Sequence, residues 1–127
     1  MDMEKQVAYW HGGSEEDLAA AESLLEKGHL RHSLFFAHLA IEKMLKALVV
    51  RETKAEPPRI HNLVRLAGLA GLEPSPEQQR FLRRFDLYQM EGRYPDSKPT
   101  IISRDIAGHE LQEAAETLKW LRAELSM

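Results

Sequence analysis

The chain has 127 residues, of which 43% are hydrophobic and 29% are charged. This composition is typical of one soluble helical domain and excludes a disordered chain. The net charge of -3 provides no overall basic field that would attract nucleic acid. The absence of cysteine excludes disulfides, thiolate metal sites and a cysteine nucleophile.

Charge is distributed unevenly along the chain. Residues 1–30 carry a net charge of -5 and residues 105–127 carry -3, whereas residues 79–104 carry +3. This segment is either a solvated helix face with ion pairs or a surface that faces phosphate groups. Its basic residues are Arg80, Arg83, Arg84, Arg93, Lys98 and Arg104.

Neither a membrane span nor a signal peptide is expected. No apolar run approaches the roughly 18 residues that a transmembrane helix needs. No apolar segment like that of a signal peptide follows Met1–Gln6. We therefore expect a cytoplasmic domain over residues 1–127 that makes no membrane contact.

The first two predicted helices differ in character. The first begins near Ser14, where Ser14 and Asp17 form a weak capping box, and it ends at Gly28. Trp10 is expected in a preceding turn. The second runs from about Leu30 to Thr53 and is apolar on most of its circumference, so it is predicted to be the central helix of a bundle.

Three further helices follow. A short one covers about residues 62–70, capped by His61 or Asn62. Ser75-Pro76-Glu77-Gln78 combines a capping box with proline at the first helical position, which predicts a helix ending at Gly92. After an irregular loop, the last helix follows Ser103 with an apolar seam. That seam consists of Ala107, Leu111, Ala114, Leu118, Leu121 and Leu125.

Several motifs in this order resemble the HEPN family over nearly the whole chain. They are the acidic, Ala-rich stretch Asp17–Glu22, the A-x-E-K-x-x-K-A sequence of Ala40–Ala47, His61-Asn62-Leu63, and Tyr88 followed by Glu91–Asp96 (E-G-R-Y-P-D). The chain is most similar to a branch with the A-x-E-K-x-x-K and R-Y-P motifs. For that branch nucleotide binding has been suggested more often than RNase activity.

The resemblance implies an all-α, up-and-down bundle of about four main helices plus a short helix. It also implies a homodimer that binds a nucleotide or RNA and works beside a minimal nucleotidyltransferase, often as a toxin–antitoxin pair. No cofactor and no metal are implied.

Two sets of residues could carry this chemistry. The first is a phosphate and base site in which Lys46, His61 and Arg93 hold phosphate and Tyr88 or Tyr94 stacks on a base, with Glu42 paired to Lys46. The competing interpretation is structural. Glu42 and Lys46 would then be a surface ion pair worth a few tenths of a kcal/mol, and His61 would cap the short helix.

The second set is Arg104 and His109, which match the Arg, four to six residues, His pattern of metal-independent RNases in the family. His109 would be the general acid or base and Arg104 would stabilise charge on phosphorus. With ten Arg and six His, about one such match is expected by chance. Residues five apart point about 140° from each other on a helix, so a shared site requires a distorted turn or a dimer cleft.

The remaining polar residues have simpler interpretations. His38 is predicted to be a satisfied core histidine, and Glu110, Glu113 and Glu116 a solvated face of the last helix. A third hypothesis is a structural adaptor without a ligand. Its dimer surface would include Phe35, Phe36 or Leu39.

Overall fold

The computed structural model describes the backbone of residues 1–93 and 101–127, and the side chains of residues 1–89 and 101–127. Within these ranges the chain forms five α-helices and no strand, which confirms the predicted all-α class. No described helix is both long and apolar enough to cross a membrane. The helices are α1 (Met3–Glu26), α2 (Leu30–Thr53), α3 (Leu63–Leu69), α4 (Pro76–Arg93) and α5 (Arg104–Leu125).

Helix α2 lies at the centre of the bundle, as predicted, and packs against each of the other four helices. From Ala40 to Val50 every residue except Lys43 is buried. Because a buried Leu or Ile side chain contributes about 1.5–3 kcal/mol, a helix with apolar residues on most sides is stable only when neighbours cover most sides. The sequence of α2 therefore dictates the arrangement of the bundle around it.

Most helix ends follow the predicted capping signals. Ser75 N–H donates to Gln78 Oε1 (2.8 Å) and Gln78 N–H donates to Ser75 Oγ (3.1 Å), which is the reciprocal capping box. Asn62 and Ser103 cap α3 and α5 through their side-chain oxygens. Gly28 follows the last turn of α1 with a φ of 84°, a conformation that favours glycine.

The predicted start of α1 is wrong by about three turns, because the helix begins at Met3 with Asp2 as its cap. Trp10 is therefore helical and not in a preceding turn. Ser14 is a buried residue of the helix interior, and its hydroxyl donates to the carbonyl of Ala40 on α2 at 2.6 Å. Gly13 lets α1 lie close to α2 at this point, because a Cβ on Gly13 would lie only 3.1 Å from Lys43 Cδ.

A smaller difference concerns the end of α4, which reaches Arg93 and so includes Gly92. The irregular loop predicted over residues 93–103 lies largely outside the described residues. A single glycine in the last turn of a helix costs about 1 kcal/mol relative to alanine, and this cost alone does not end a helix.

Two glycines of α1 and its cap provide a matched pair of substitutions. We expect Gly28→Ala to lower the free energy of unfolding by about 1 kcal/mol, because alanine is strained at positive φ. Gly12 is an exposed helical residue, and a Cβ added there would have no other atom within 4 Å. Gly12→Ala should therefore raise the free energy by up to about 1 kcal/mol. Urea denaturation followed by circular dichroism measures both, and equal effects of the two substitutions would contradict the assignment.

Candidate functional site

Polar side chains from three parts of the chain meet in the interior where α2, α4 and the start of α3 come together. We call this group the Glu42 cluster. It consists of His38, Glu42 and Lys46 on α2, His61 just before α3, and Asp86 on α4. The cluster contains three of the residues that the sequence predicted for a phosphate site.

The Glu42–Lys46 pair is buried, so the expectation of a surface ion pair is wrong. Glu42 and Lys46 are only 4% and 5% exposed, and Lys46 Nζ donates to Glu42 Oε2 at 3.0 Å. Helix α1 covers this side of α2 and brings the ring of Trp10 to 5.4 Å from Lys46 Nζ, in cation–π range. The error arose because α1 is longer than predicted and covers a face of α2 that was expected to meet solvent.

His61 is where the cluster reaches the surface. Its Nδ1 lies 3.0 Å from the same Glu42 Oε2 that accepts from Lys46, and its side chain is 40% exposed. An ionised carboxylate only accepts hydrogen bonds, so His61 Nδ1 is the donor. The carboxylate therefore fixes the orientation of the imidazole at the protein surface.

His38 links two carboxylates inside the bundle. It is fully buried, as predicted, and its Nε2 lies 2.9 Å from Asp86 Oδ1. Its Nδ1 has no hydrogen-bond partner among the described residues, so the prediction of a fully satisfied histidine holds only for Nε2. Its Nδ1 lies 3.7 Å from Glu42 Oε1. Asp86 also accepts the backbone N–H of Leu63 at 3.2 Å, which ties the first turn of α3 to α4.

Asp86 was not singled out from the sequence. The sequence offered only an acidic residue next to Phe85. Such a residue is equally compatible with a position at the edge between the buried and the exposed faces of α4. Its partner His38 is 48 residues away in the sequence. Only the packing of α4 against α2 brings the two together.

The electrostatics of Glu42 follow from this environment. Burial by itself raises the pKa of its carboxyl, but the hydrogen bond from His61 and the charge and hydrogen bond of Lys46 act in the opposite direction. The balance lowers the pKa of Glu42 from its ordinary value of 4.5. Glu42 is therefore ionised at neutral pH, and its partners are held by a permanent negative charge.

The RNase-pattern residues have different neighbours within one chain. Both are exposed on the first two turns of α5. Arg104 NH2 donates to the backbone carbonyl of Glu26 at the end of α1 (3.0 Å). His109 is 70% exposed, and its Nδ1 lies 3.5 Å from Glu113 Oε1 on the side of α5 that faces α4. Within one copy of the chain, Arg104 and His109 therefore have no contact partner in common among the described residues.

The acidic residues of α5 were predicted to form one solvated face, and this prediction is wrong for Glu110. Glu110 is buried, and it accepts hydrogen bonds from Tyr88 Oη (2.9 Å) and from Arg84 NH2 (2.9 Å). Arg84 also donates to Glu113 at 2.6 Å. These contacts join α4 to α5, and the two carboxylates raise the pKa of Arg84 above its ordinary value.

One group of side chains has the spacing of a metal site. Ligand atoms of His109, Glu110 and Glu113 all lie within 4.8 Å of one another. Arg84 already bonds both of these carboxylates, so a metal ion would have to compete with a guanidinium for the same oxygens. The sequence named no metal ligand, and this geometry does not add one.

The other predicted residues are distributed as follows. Phe35, Phe36 and Leu39, proposed for an adaptor surface, are each half-buried, and Phe36 packs against the core. Tyr94 and the side chain of Arg93 lie outside the described residues, so their part in the phosphate site stays a prediction.

The comparisons agree with this architecture. The model of the HEPN domain matches residues 7–124. The chain belongs to the HEPN family. This match confirms the resemblance that the ordered motifs indicated. A comparison with curated proteins finds no match.

Two solved structures are similar to this HEPN chain in fold. TT1696 from Thermus thermophilus is 23% identical with a TM-score of 0.78, and the alignment covers 93% of this chain and 97% of that one. ST0689, an archaeal HEPN homologue, is 21% identical with a TM-score of 0.73, covering 93% and 96%. At these identities the similarity establishes the fold and not the ligand.

The buried charge of Glu42 leads to a pH-dependent prediction. Glu42→Gln should lower the free energy of unfolding by about 3 kcal/mol at pH 7, because Lys46 loses a buried partner. The folded-state pKa of Glu42 is lowered, so its stabilisation is present above its unfolded pKa of about 4.5 and is lost as pH falls through the folded pKa. The difference between wild type and variant should therefore shrink below about pH 4.5.

Urea denaturation between pH 3 and pH 7 measures this difference. Glu22→Gln is the matched control, because Glu22 is exposed on α1 and should change stability by less than about 0.5 kcal/mol. A difference between wild type and Glu42→Gln that stays constant over the whole pH range would refute the assignment.

Proposed function

We propose that this HEPN domain binds the phosphate of a nucleotide or of RNA beside the Glu42 cluster, with His61 as a contact residue. The observation that carries the proposal is the orientation of His61. A buried carboxylate holds its Nδ1 at 3.0 Å while the side chain is 40% exposed. An imidazole oriented through one nitrogen by a carboxylate can direct its other nitrogen toward a ligand.

Lys46 supports this site by its charge. It is 5% exposed and bonded to Glu42, so it is poorly placed for direct contact with a large ligand. Its charge compensates the negative charge of Glu42, so the carboxylate that orients His61 repels an anion at the surface less than an unpaired carboxylate would. Arg93, the last residue of α4, and Tyr94, which follows it, remain the predicted phosphate and base contacts.

Two further parts of the proposal rest on family membership. We propose that the chain forms a homodimer and that it associates with a minimal nucleotidyltransferase, as one component of a toxin–antitoxin pair. Sedimentation measures the first, and a binding assay with a purified nucleotidyltransferase measures the second. A cytoplasmic location also stays a prediction.

Ligand binding can be tested by isothermal calorimetry with ATP and with a short single-stranded RNA. His61→Ala should weaken binding by about tenfold or more, because a charge-assisted hydrogen bond contributes about 1.5–3 kcal/mol. His32→Ala is the control, since His32 is an exposed histidine on α2 outside the cluster. Equal affinities of wild type and His61→Ala for both ligands would exclude this site.

The second candidate function is a metal-independent endoribonuclease that uses Arg104 and His109. The observation in its favour is that both side chains are exposed and that Glu113 lies 3.5 Å from His109 Nδ1, where a carboxylate could orient a general base. Their separate neighbours in one chain mean that a second copy would have to complete the site. The carboxylates around His109 act against phosphate binding there, so we rank this candidate second.

Cleavage of a mixed-sequence RNA in EDTA tests this candidate. If it holds, wild type should cleave without metal, and His109→Ala and Arg104→Ala should each reduce the rate by at least about a hundredfold. His32→Ala should cleave like wild type. An intact RNA at protein concentrations where sedimentation detects the dimer would remove Arg104 and His109 from the catalytic role.

A further inference from the structure

An open groove separates part of α4 from α5. The two helices are joined at one end, where Arg84 and Tyr88 bond Glu110. Toward the start of α4 they leave a cleft of about 340 Å³ between Gln78 and Thr117. A second cavity of about 460 Å³ shares these two residues and continues along α5 to Ala123.

The groove is long enough for a segment of protein chain. Its lining extends along α5 from His109 to Ala123, which corresponds to about 21 Å at 1.5 Å per residue. A helix of about 14 residues has the same length. The α4 wall is shorter than the α5 wall, since α4 contributes only Glu77, Gln78 and Phe81. An amphipathic helix can occupy a cleft of this kind along α5 with its apolar side chains pointing inward.

The groove has an aromatic floor and an acidic rim. Phe81 and Thr117 are buried at its base, and Trp120 is half-buried further along. Glu77 and Glu116 are exposed at the rim, and neither forms an ion pair with another side chain in the part of the chain that the structure describes. Lys119 is also exposed and lines the same cavity as Glu116, so the rim carries more carboxylates than cations. The occupant that complements this surface therefore has apolar residues on one face and cations beside them.

The ring of Phe81 already attracts one cation. The guanidinium of Arg84 lies 5.3 Å from the centre of this ring while bonding Glu113 and Glu110. Arg84 carries one positive charge against these two carboxylates, and it forms no ion pair with Glu77 or Glu116 among the described residues. The carboxylates of Glu77 and Glu116, with the negative charge that Arg84 leaves uncompensated on Glu110 and Glu113, give this groove a net negative charge despite Lys119.

We propose that this groove is a docking site for a basic amphipathic helix of a partner protein. Its leucine-like side chains would pack on Phe81 and Trp120, and its Lys or Arg side chains would pair with Glu77 and Glu116. The same carboxylates repel phosphate groups, so we do not expect an anionic ligand in the groove. The proposal stands whether or not the Glu42 cluster binds phosphate.

Fluorescence anisotropy with two labelled helical peptides of about 14 residues tests this proposal. One has leucines on one face flanked by lysines, and the other has glutamates in place of the lysines. Wild type should bind the lysine peptide and not the glutamate peptide. Glu77→Lys/Glu116→Lys should weaken binding of the lysine peptide by about tenfold or more and should bind the glutamate peptide instead.

Glu22→Lys is the matched control, because Glu22 is an exposed carboxylate on α1 away from the groove. Circular dichroism verifies that each variant is folded. The proposal is overturned if Glu22→Lys weakens binding as much as the double variant does, or if the charge reversal leaves both affinities unchanged. It is also overturned if sedimentation without peptide shows that the double variant dissociates a wild-type dimer, because a second copy would then occupy the groove.

Discussion

Glu42 is an ionised carboxylate in a helix that four other helices cover. A buried charge of this kind is stable only if partners neutralise it and occupy its hydrogen-bonding positions. Lys46 supplies the charge from the next turn of the same helix, and His61 supplies a donor from the linker before α3. The requirement to satisfy one carboxylate therefore helps to fix where the linker runs and where α3 begins.

His38 and Asp86 extend the same constraint to α4. His38 lies between Glu42 and Asp86, and Asp86 in turn accepts the first backbone N–H of α3. A polar network of this kind is directional, whereas the apolar packing around it is not. We infer that the apolar surface of α2 drives assembly of the bundle, and that the Glu42 cluster selects one arrangement of α3 and α4 upon it.

This division has a consequence for function. The buried part of the cluster has a structural role that is sufficient to explain Glu42, Lys46 and His38 without any ligand. His61 differs, because it belongs to the same network yet reaches the surface. The groove between α4 and α5 is separate from this network, with exposed carboxylates at its rim and aromatic rings at its base. We therefore propose a different class of ligand for each surface, an anion at His61 and a protein segment in the groove.

The fold could be predicted in large part from the sequence because its signals are local. The capping box at Ser75, the glycine after α1 and the apolar circumference of α2 each act within a few residues, and each is found as predicted. Ser14 misled the prediction, because a serine favours a helix start when it caps and a close helix contact when it is buried. The contact was realised, since α2 packs there and the hydroxyl of Ser14 reaches Ala40.

Of the contacts in the candidate site, only those between residues close in the sequence were predicted. Glu42 and Lys46 are one turn apart, so their pairing followed from the sequence, but their burial did not. The contact of His38 with Asp86 and that of Arg84 with Glu110 join residues far apart in the sequence. The sequence by itself determined that there are five helices, most of their caps and the central place of α2, because these depend on neighbours within a turn or two. Only the tertiary structure decided which charges are buried and which remain exposed, because burial depends on what packs against each face.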